Sequence, residues 1–138
     1  MKRILFFIVL LITCSGANAN CIPNSAALSQ THEVINRLGG WPIAEEKCIF
    51  LNKHNLSLKV TTFSSIFEGS AVAWASVSLI EKDKHIVSDL FRAITYHMTQ
   101  ATSMAEADKL MYEAVREAIQ KLDFEVALRQ IRSYQSKK

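Results

Sequence analysis

Three apolar residues and one threonine recur at three- and four-residue intervals after residue 24, which is the period of a helix. They are Leu28, Thr31, Ile35 and Leu38. We therefore predict a first helix that begins near Ser25, capped by Asn24 or by Ser25 itself, and ends before the two glycines at 39–40. A second helical face consists of Ile43, Lys47, Cys48 and Leu51. It predicts another helix that starts at Pro42, a residue favoured in a first helical turn, so that the two segments form a helical hairpin.

The period changes to two after residue 55, which indicates a half-buried strand. Leu56, Leu58 and Val60 alternate with polar residues, and this pattern predicts a strand that continues toward Phe67 or turns before it.

Two further strands are predicted beyond that point. Residues 71–80 combine alanines with β-branched and aromatic residues, and we predict a strand there, with a helix over 65–80 as the alternative. A charged turn at 81–84 and renewed alternation over 86–96 predict the third strand. Because the connections between these strands are short, the sheet is expected to be an antiparallel meander.

The C-terminal part of the chain returns to the helical period. Ser103 and Glu106 match a capping box, which marks a helix start. The apolar stripe that follows is Ala107, Leu110, Met111, Ala114, Val115, Ala118, Ile119 and Leu122. Asp123 interrupts the pattern before a shorter helix with Ala127, Leu128 and Ile131. The whole order predicts an α+β fold, in which a meander of about three strands packs against the N-terminal hairpin and the C-terminal helices.

The first nineteen residues have the three regions of a secretory signal peptide. Lys2 and Arg3 precede an apolar run at 4–12, and Ala17 and Ala19 are the small residues that a signal peptidase reads. The run is shorter than the roughly 20 residues of a membrane-spanning helix. We therefore predict that the segment is removed and does not anchor the chain.

Cleavage near Ala19 and Asn20 would leave residues 20–138 as one domain in the periplasm or outside the cell. Lipid attachment at Cys14 is the alternative processing route. No segment of the mature chain is long and apolar enough to predict a transmembrane helix.

Processing also changes the charge of the protein. The full chain has 16 basic and 13 acidic residues and a net charge of +3, so removal of Lys2 and Arg3 leaves 14 against 13, or +1. The remaining lysines and arginines form no patch that could neutralise phosphates, which excludes nucleic acid as a predicted partner.

The mature chain keeps two cysteines, Cys21 and Cys48. In an oxidising compartment an isolated pair is most simply a disulfide, and catalytic dithiols are usually much closer in sequence. The bridge would close a loop of about 28 residues and stabilise the fold by about 3.5 kcal/mol in the chain-entropy model.

No set of residues predicts catalysis or a metal site. His32-Glu33 is not followed by the second histidine of a zinc-protease motif. His85 and His97 would lie about 40 Å apart along one strand, too far to share a metal ion. There is no glycine-rich phosphate loop. We therefore expect neither an enzyme nor a cofactor, with an envelope enzyme of unfamiliar site as a remaining hypothesis.

Aromatic side chains are the remaining candidates for a binding surface. Trp41 lies between the first two helices, and Trp74 shares a strand face with serines, although either could instead pack in the core. Phe67, Phe91 and Tyr96 would extend a patch on the sheet. The expected function is therefore protein–protein binding by an exported, non-enzymatic protein.

In size and compartment, though not in any motif, this profile resembles periplasmic binding or inhibitor proteins, including immunity proteins that neutralise toxins delivered to the periplasm. A homodimer formed through an open sheet edge or a helix face is also expected as a candidate assembly. The alternative function is a small-ligand carrier with an apolar pocket between sheet and helices.

Overall fold

The computed structural model of the protein describes residues 25–100 and 103–137. Within them lie four helices and four strands, in the order β1 (Ser25–Ala26), α1 (Ser29–Arg37), α2 (Glu45–Lys53), β2 (Leu56–Phe67), β3 (Ser70–Glu81), β4 (Ala93–Gln100), α3 (Met104–Lys121) and α4 (Phe124–Gln135). The strands form one mixed sheet in the order β1-β2-β3-β4, with β1 parallel to β2 and the other pairs antiparallel. The α+β class is confirmed, but the sheet has four strands and is not purely antiparallel.

The four helices pack on one side of this sheet, which we call the covered face. The main core joins Ile35 of α1 and Leu51 of α2 to inward-facing residues of β2 and β3 and to the apolar stripes of α3 and α4. The sheet residues of this core are Leu56, Leu58, Val60, Ala75, Val77 and Leu79. Because strand side chains alternate, the residues between them point to the opposite side, which we call the open face.

A long hairpin forms the centre of the sheet. β2 and β3 are 12 residues each and pair in register from Leu56–Glu81 to Phe67–Ser70. The turn between them is Glu68-Gly69, and both residues have positive φ (47° and 75°), as a two-residue hairpin turn requires. The strand predicted at 71–80 is confirmed, and the alternative helix over 65–80 is wrong. The tight turn brings the chain straight back along β2, so residues 70–81 pair with β2 as a strand.

The third predicted strand is displaced. It was expected over 86–96, whereas β4 runs over 93–100. Val87 does pair with Ile80, and β4 resumes where Ala93 pairs with Val77. Between these two pairs β3 spans three residues, from Ile80 to Val77, whereas the segment opposite spans six, from Val87 to Ala93. The three extra residues form a loop at the edge of the sheet, which we call the extruded loop.

This extrusion is held by Ser88, which is fully buried. Its hydroxyl accepts a hydrogen bond from the Leu79 amide (2.9 Å) and donates one to the Phe91 carbonyl (3.2 Å). A side-chain hydroxyl thus replaces part of the strand ladder, and the simple alternation predicted across this segment is wrong because the odd number of extra residues reverses the faces.

The N-terminal elements start later than predicted. Ser25 does not cap α1 but pairs with Leu58 as part of β1, and α1 begins at Ser29. A two-residue strand has no recognisable period, so only its contact with β2 reveals it. α2 begins at Glu45 rather than at Pro42, after a connection that carries Trp41.

The C-terminal predictions are confirmed. Ser103 and Glu106 form both hydrogen bonds of the capping box, and seven of the eight predicted stripe positions of α3 and its C-cap are buried. Asp123 separates the two helices by capping α4, where its side chain accepts from the Val126 amide.

Candidate functional site

The open face of the sheet carries a group of large apolar side chains that the helices leave uncovered. We call this group the aromatic patch; it consists of Phe63 and Phe67 on β2, Val72 and Trp74 on β3, and Ile94, Tyr96 and Met98 on β4. Each belongs to the half of its strand that alternates away from the buried core residues.

Strand register assembles the patch from three separate parts of the chain. Phe63 is paired with Trp74, and Trp74 with Tyr96, so three aromatic residues form one row across the sheet. Val72 pairs with Met98 in the row toward the hairpin turn, and Ile94 pairs with Ser76 in the row on the other side. Directly paired side chains lie about 4.5–5.5 Å apart at Cβ, which makes the patch continuous.

Solvent reaches most of this surface. The exposed fractions of the five most accessible patch side chains are 45% for Phe63, 68% for Phe67, 56% for Ile94, 62% for Tyr96 and 66% for Met98. Trp74, in the centre, is half-buried. Taking large side chains at about 150–250 Å² each, the five present roughly 450–750 Å² of surface, most of it apolar. That value is at or above the size of the largest apolar patch of a typical monomer, about 300–600 Å², which is often functional.

The patch carries no charge. Among the positions of β2, β3 and β4 that face the open side, Lys59 is the one charged residue, and it lies two rows from the row of Phe63, Trp74 and Tyr96. The surroundings of that row are small and neutral, such as Thr61, Ser65 and Ser76. Depletion of charge around exposed aromatic residues is typical of the centre of a protein interface.

Polar contacts on the covered face hold β4 in the orientation that exposes the patch. Thr95 Oγ1 donates to the Ala114 carbonyl (2.5 Å), and His97 Nε2 lies 2.7 Å from Glu117 Oε2. Lys121 Nζ lies 2.6 Å from the other oxygen of Glu117. Hydrogen bonds from Lys121 and then His97 lower the pKa of the Glu117 carboxyl below its usual value, so that the anion is favoured. Because these residues face α3, their neighbours Ile94, Tyr96 and Met98 face outward.

The structure brings together three of the five aromatic residues that the sequence singled out. Phe67, Trp74 and Tyr96 share the open face. Trp74 does not pack under the helices, which was the other interpretation of this residue. Its proximity to Ser76 and Ser78 on one strand face is as predicted.

The other two aromatic residues lie elsewhere. Phe91 is in the extruded loop rather than on a strand, at the edge of the sheet beside α4. Trp41 is half-buried against the main core, with its ring edge-on to His32 at 5.5 Å between centroids. Neither belongs to the aromatic patch.

Phe63, Val72, Ile94 and Met98 are patch members that sequence reasoning missed. The signal for Phe63 was its four-residue spacing from Phe67, since residues an even number of positions apart on a strand share a face. Ile94 and Met98 each lie two residues from Tyr96, but the extruded loop hid which face they occupy.

A second concave feature lies beside Phe91. It is an open groove of about 510 Å³ between the extruded loop and α4, lined by Leu90, Phe91, Val126, Gln130 and Tyr134 among others. Gln130 Oε1 is buried without a hydrogen-bond partner, while its Nε2 donates to the Tyr134 hydroxyl. By contrast, core side chains fill the space between the sheet and the helices at Leu58, Val77 and Ile119.

Three further predictions concern sites or segments rather than the patch. Cys48 is buried in α2, whereas Cys21, Cys14 and the whole predicted signal segment lie outside the described residues, so the disulfide and the processing remain predictions. Across residues 25–100 and 103–137 no group of three or more histidine, cysteine or acidic side chains is placed to hold a metal ion. None of the helices in that same part of the chain is long and apolar enough to span a membrane.

Comparison with known proteins identifies no family. No protein-family model matches the chain, and no curated protein matches it significantly. Among solved structures it is similar to a "putative lipoprotein" from Caulobacter crescentus CB15, with 9% sequence identity, 86% of this chain and 93% of that chain covered, and a TM-score of 0.41. A likeness of this degree carries no argument about function.

Proposed function

We propose that the protein is an exported, non-enzymatic binding protein whose aromatic patch contacts another protein in the bacterial envelope. The observation that carries the proposal is the continuous, uncharged row of Phe63, Trp74 and Tyr96 on a sheet face without helices. Exposed apolar area is unfavourable in water by about 25 cal/mol per Å², so a surface of this kind is stabilised when a partner covers it.

The residue types of the patch also favour a protein partner. Tryptophan and tyrosine are the residues that most often dominate binding energy at interfaces, since they combine a large rigid area with a polar group that reaches the rim. Trp74 lies in the middle of the sheet with Phe63 and Tyr96 on either side, an arrangement in which neighbours exclude water from a central anchor.

An inhibitor of the immunity type is one form that this function takes. Such an inhibitor needs a rigid surface and no chemistry of its own. The patch meets that need because it is built on the twelve-residue strands of the central hairpin, which the helical layer supports from behind.

A small-ligand carrier is the weaker candidate. A carrier pocket encloses most of its ligand, whereas the groove beside Phe91 is open to solvent. A smaller space of about 310 Å³ lies between α1, β2 and α3, and polar side chains such as Thr31, Thr62 and Asp108 line it, unlike the apolar pocket of a carrier. Native mass spectrometry of the purified protein tests this point directly. A stoichiometric small molecule that remains bound would support a carrier and contradict the proposal.

The proposal is tested by placing a photo-crosslinking amino acid at Tyr96 and irradiating cells that export the protein. Tyr96 is 62% exposed in the middle row of the patch, on the edge strand β4, so the substitution leaves the core intact. The matched control is the same amino acid at Tyr134, an exposed aromatic residue on α4 away from the patch.

A protein adduct that forms at position 96 and not at position 134 is the expected result, and mass spectrometry of the adduct identifies the partner. Equal labelling at both positions, or no adduct at position 96, would show that the patch is not a contact surface.

A further inference from the structure

We propose that the occupant of the aromatic patch is a second copy of this chain, so that two sheets pack face to face in a symmetric dimer. This inference rests on the proposed function and names its partner. It differs from dimers formed through a sheet edge or a helix face, because it covers the surface that the fold leaves apolar.

The first argument is electrostatic. A symmetric dimer brings the residues near its two-fold axis close to their own copies, so a charge in the centre of the contact meets a like charge. The row of Phe63, Trp74 and Tyr96 and the rows beside it contain no charged residue. The patch is therefore complementary to itself, whereas an interface for a strongly acidic or basic partner would carry opposite charges.

The second argument is area. A stable protein interface buries about 800 Å² on each partner, with an apolar centre and a polar rim. The five most exposed patch side chains supply roughly 450–750 Å² of that centre. Thr61, Ser65 and Gln100 lie around it on the same face and supply polar rim positions.

The third argument is geometric. Two sheets that pack face to face lie about 10 Å apart, with their inner side chains interdigitated. A two-fold axis in the plane between them leaves the central position of the patch opposite itself. That position is Trp74, on the middle strand and in the middle row. The half-buried Trp74 ring would thus become the centre of the dimer contact.

The test measures the mass of the processed protein by sedimentation equilibrium between about 1 and about 100 μM, the range in which interfaces of modest affinity dissociate. The expected result is the mass of two copies. Ile94→Lys should weaken the dimer by more than about 100-fold, because each dimer would bury the new charge twice. Ile49→Lys on α2 is the matched control, since Ile49 and Ile94 are similarly exposed (60% and 56%), and it should leave the mass unchanged.

Two more variants test whether the result depends on the fold of β4 and on the face of the sheet. Met98→Lys repeats the test at a more exposed position, with Met104→Lys at the start of α3 as its control, in case Ile94→Lys unfolds the strand. Phe63→Lys distinguishes a face-to-face dimer from a dimer formed through the outer edge of β4, because β3 lies between β2 and β4 in the sheet. A dimer that survives Phe63→Lys, or a chain that stays monomeric at about 100 μM, would overturn the inference.

The crosslinking experiment at Tyr96 keeps this inference separate from the proposed function. An adduct between two copies supports both. An adduct with a different protein, together with a monomeric purified chain, contradicts the dimer and leaves the binding function standing. Absence of any adduct removes both.

Discussion

At the scale of single residues, the orientation of β4 depends on a small polar cluster on the covered face. Glu117 of α3 accepts hydrogen bonds from Lys121 and from His97, and the latter joins the helix to the strand. The lowered pKa of the Glu117 carboxyl shows that its environment favours the charged form. Ionisation of one side chain is thereby linked to the strand that presents Tyr96.

This linkage predicts a pH dependence. A carboxyl whose pKa is lower in the folded protein than its ordinary value of 4.5 stabilises the fold at pH values above 4.5. That contribution is lost as the pH falls through the folded pKa. Glu117→Gln should therefore destabilise the protein near neutral pH, and the difference from the unmodified chain should shrink on acidification below about pH 4.

Urea unfolding at a series of pH values measures the effect. Glu33→Gln, which removes one exposed carboxylate from α1, is the control. A difference for Glu117→Gln that stays constant from neutral to strongly acid pH would contradict the proposed link.

The two tryptophans differ in how far the sequence predicts their positions. Both were candidates for either core or contact, because the residue type is suited to both. The strand period placed Trp74 beside Ser76 and Ser78 correctly, but which face the helices cover depends on the packing of the distant segment α3. Trp41 lies outside any periodic element, so no pattern could show that its ring packs on the core.

At the scale of elements, Lys47 of α2 supplies the hydrogen bonds that join this helix to the end of α3. Lys47 Nζ donates to the carbonyls of Ile119 (2.5 Å), Gln120 (3.1 Å) and Leu122 (3.3 Å), which lie at the end of α3. It also lies 4.6 Å from the centre of the Phe124 ring. Burial lowers the pKa of this ammonium group, and the nearby carboxylates Glu46 and Asp123 oppose that shift.

Lys47→Met should lower the free energy of unfolding by about 1–3 kcal/mol, since carbonyls at the end of α3 lose their donor and are not satisfied by a thioether. Lys53→Met, on the exposed last turn of the same helix, is the control and should change stability by less than about 0.5 kcal/mol. Urea midpoints of the two variants give the comparison. Equal effects would show that the contacts of Lys47 contribute little to stability.

Elements with a long periodic pattern were predictable and those set by contacts were not. The α3 stripe and its capping box needed nothing beyond local sequence. The two residues of β1 are a strand only because they pair with Leu58 and Lys59. The start of β4 was missed because the hydroxyl of Ser88 replaces ladder bonds that the alternation over 86–96 implied.

At the scale of the whole molecule, the predicted signal peptide and the predicted disulfide both concern the N-terminal part of the chain. Cys48 is buried in α2, and Cys21 precedes the described residues by only four positions. A bridge between them would tie the N-terminal segment to the helical layer on the covered face. The aromatic patch would be unaffected, because it lies on the open face.

Intact mass of the exported protein tests processing and pairing together. We expect a chain that begins at Asn20 and is two protons lighter than the reduced form, with no lipid on Cys14. Reduction should lower the free energy of unfolding by about 3.5 kcal/mol, as the chain-entropy model gives for this loop. Two alkylatable thiols in the unreduced protein, or a lipid-modified mass, would contradict these expectations.

The overall architecture was predictable from the order of the predicted elements. When helices precede and follow a set of strands, the apolar stripes of the helices pack against one face of the antiparallel hairpin. The surface did not follow, because it depends on how three strands align. Phe63, Trp74 and Tyr96 are 11 and 22 residues apart in sequence, and only the register between strands places them in one row.

The extruded loop between Val87 and Ala93 is anchored on both sides by contacts outside it. Val87 is paired with Ile80, whereas β4 is held by its pairs with β3 and by the contacts of Thr95 and His97 with α3. A residue added or removed at the tip of the loop should therefore change the loop and leave the faces of β4 as they are. This stretch of the chain should accept odd and even changes of length equally well.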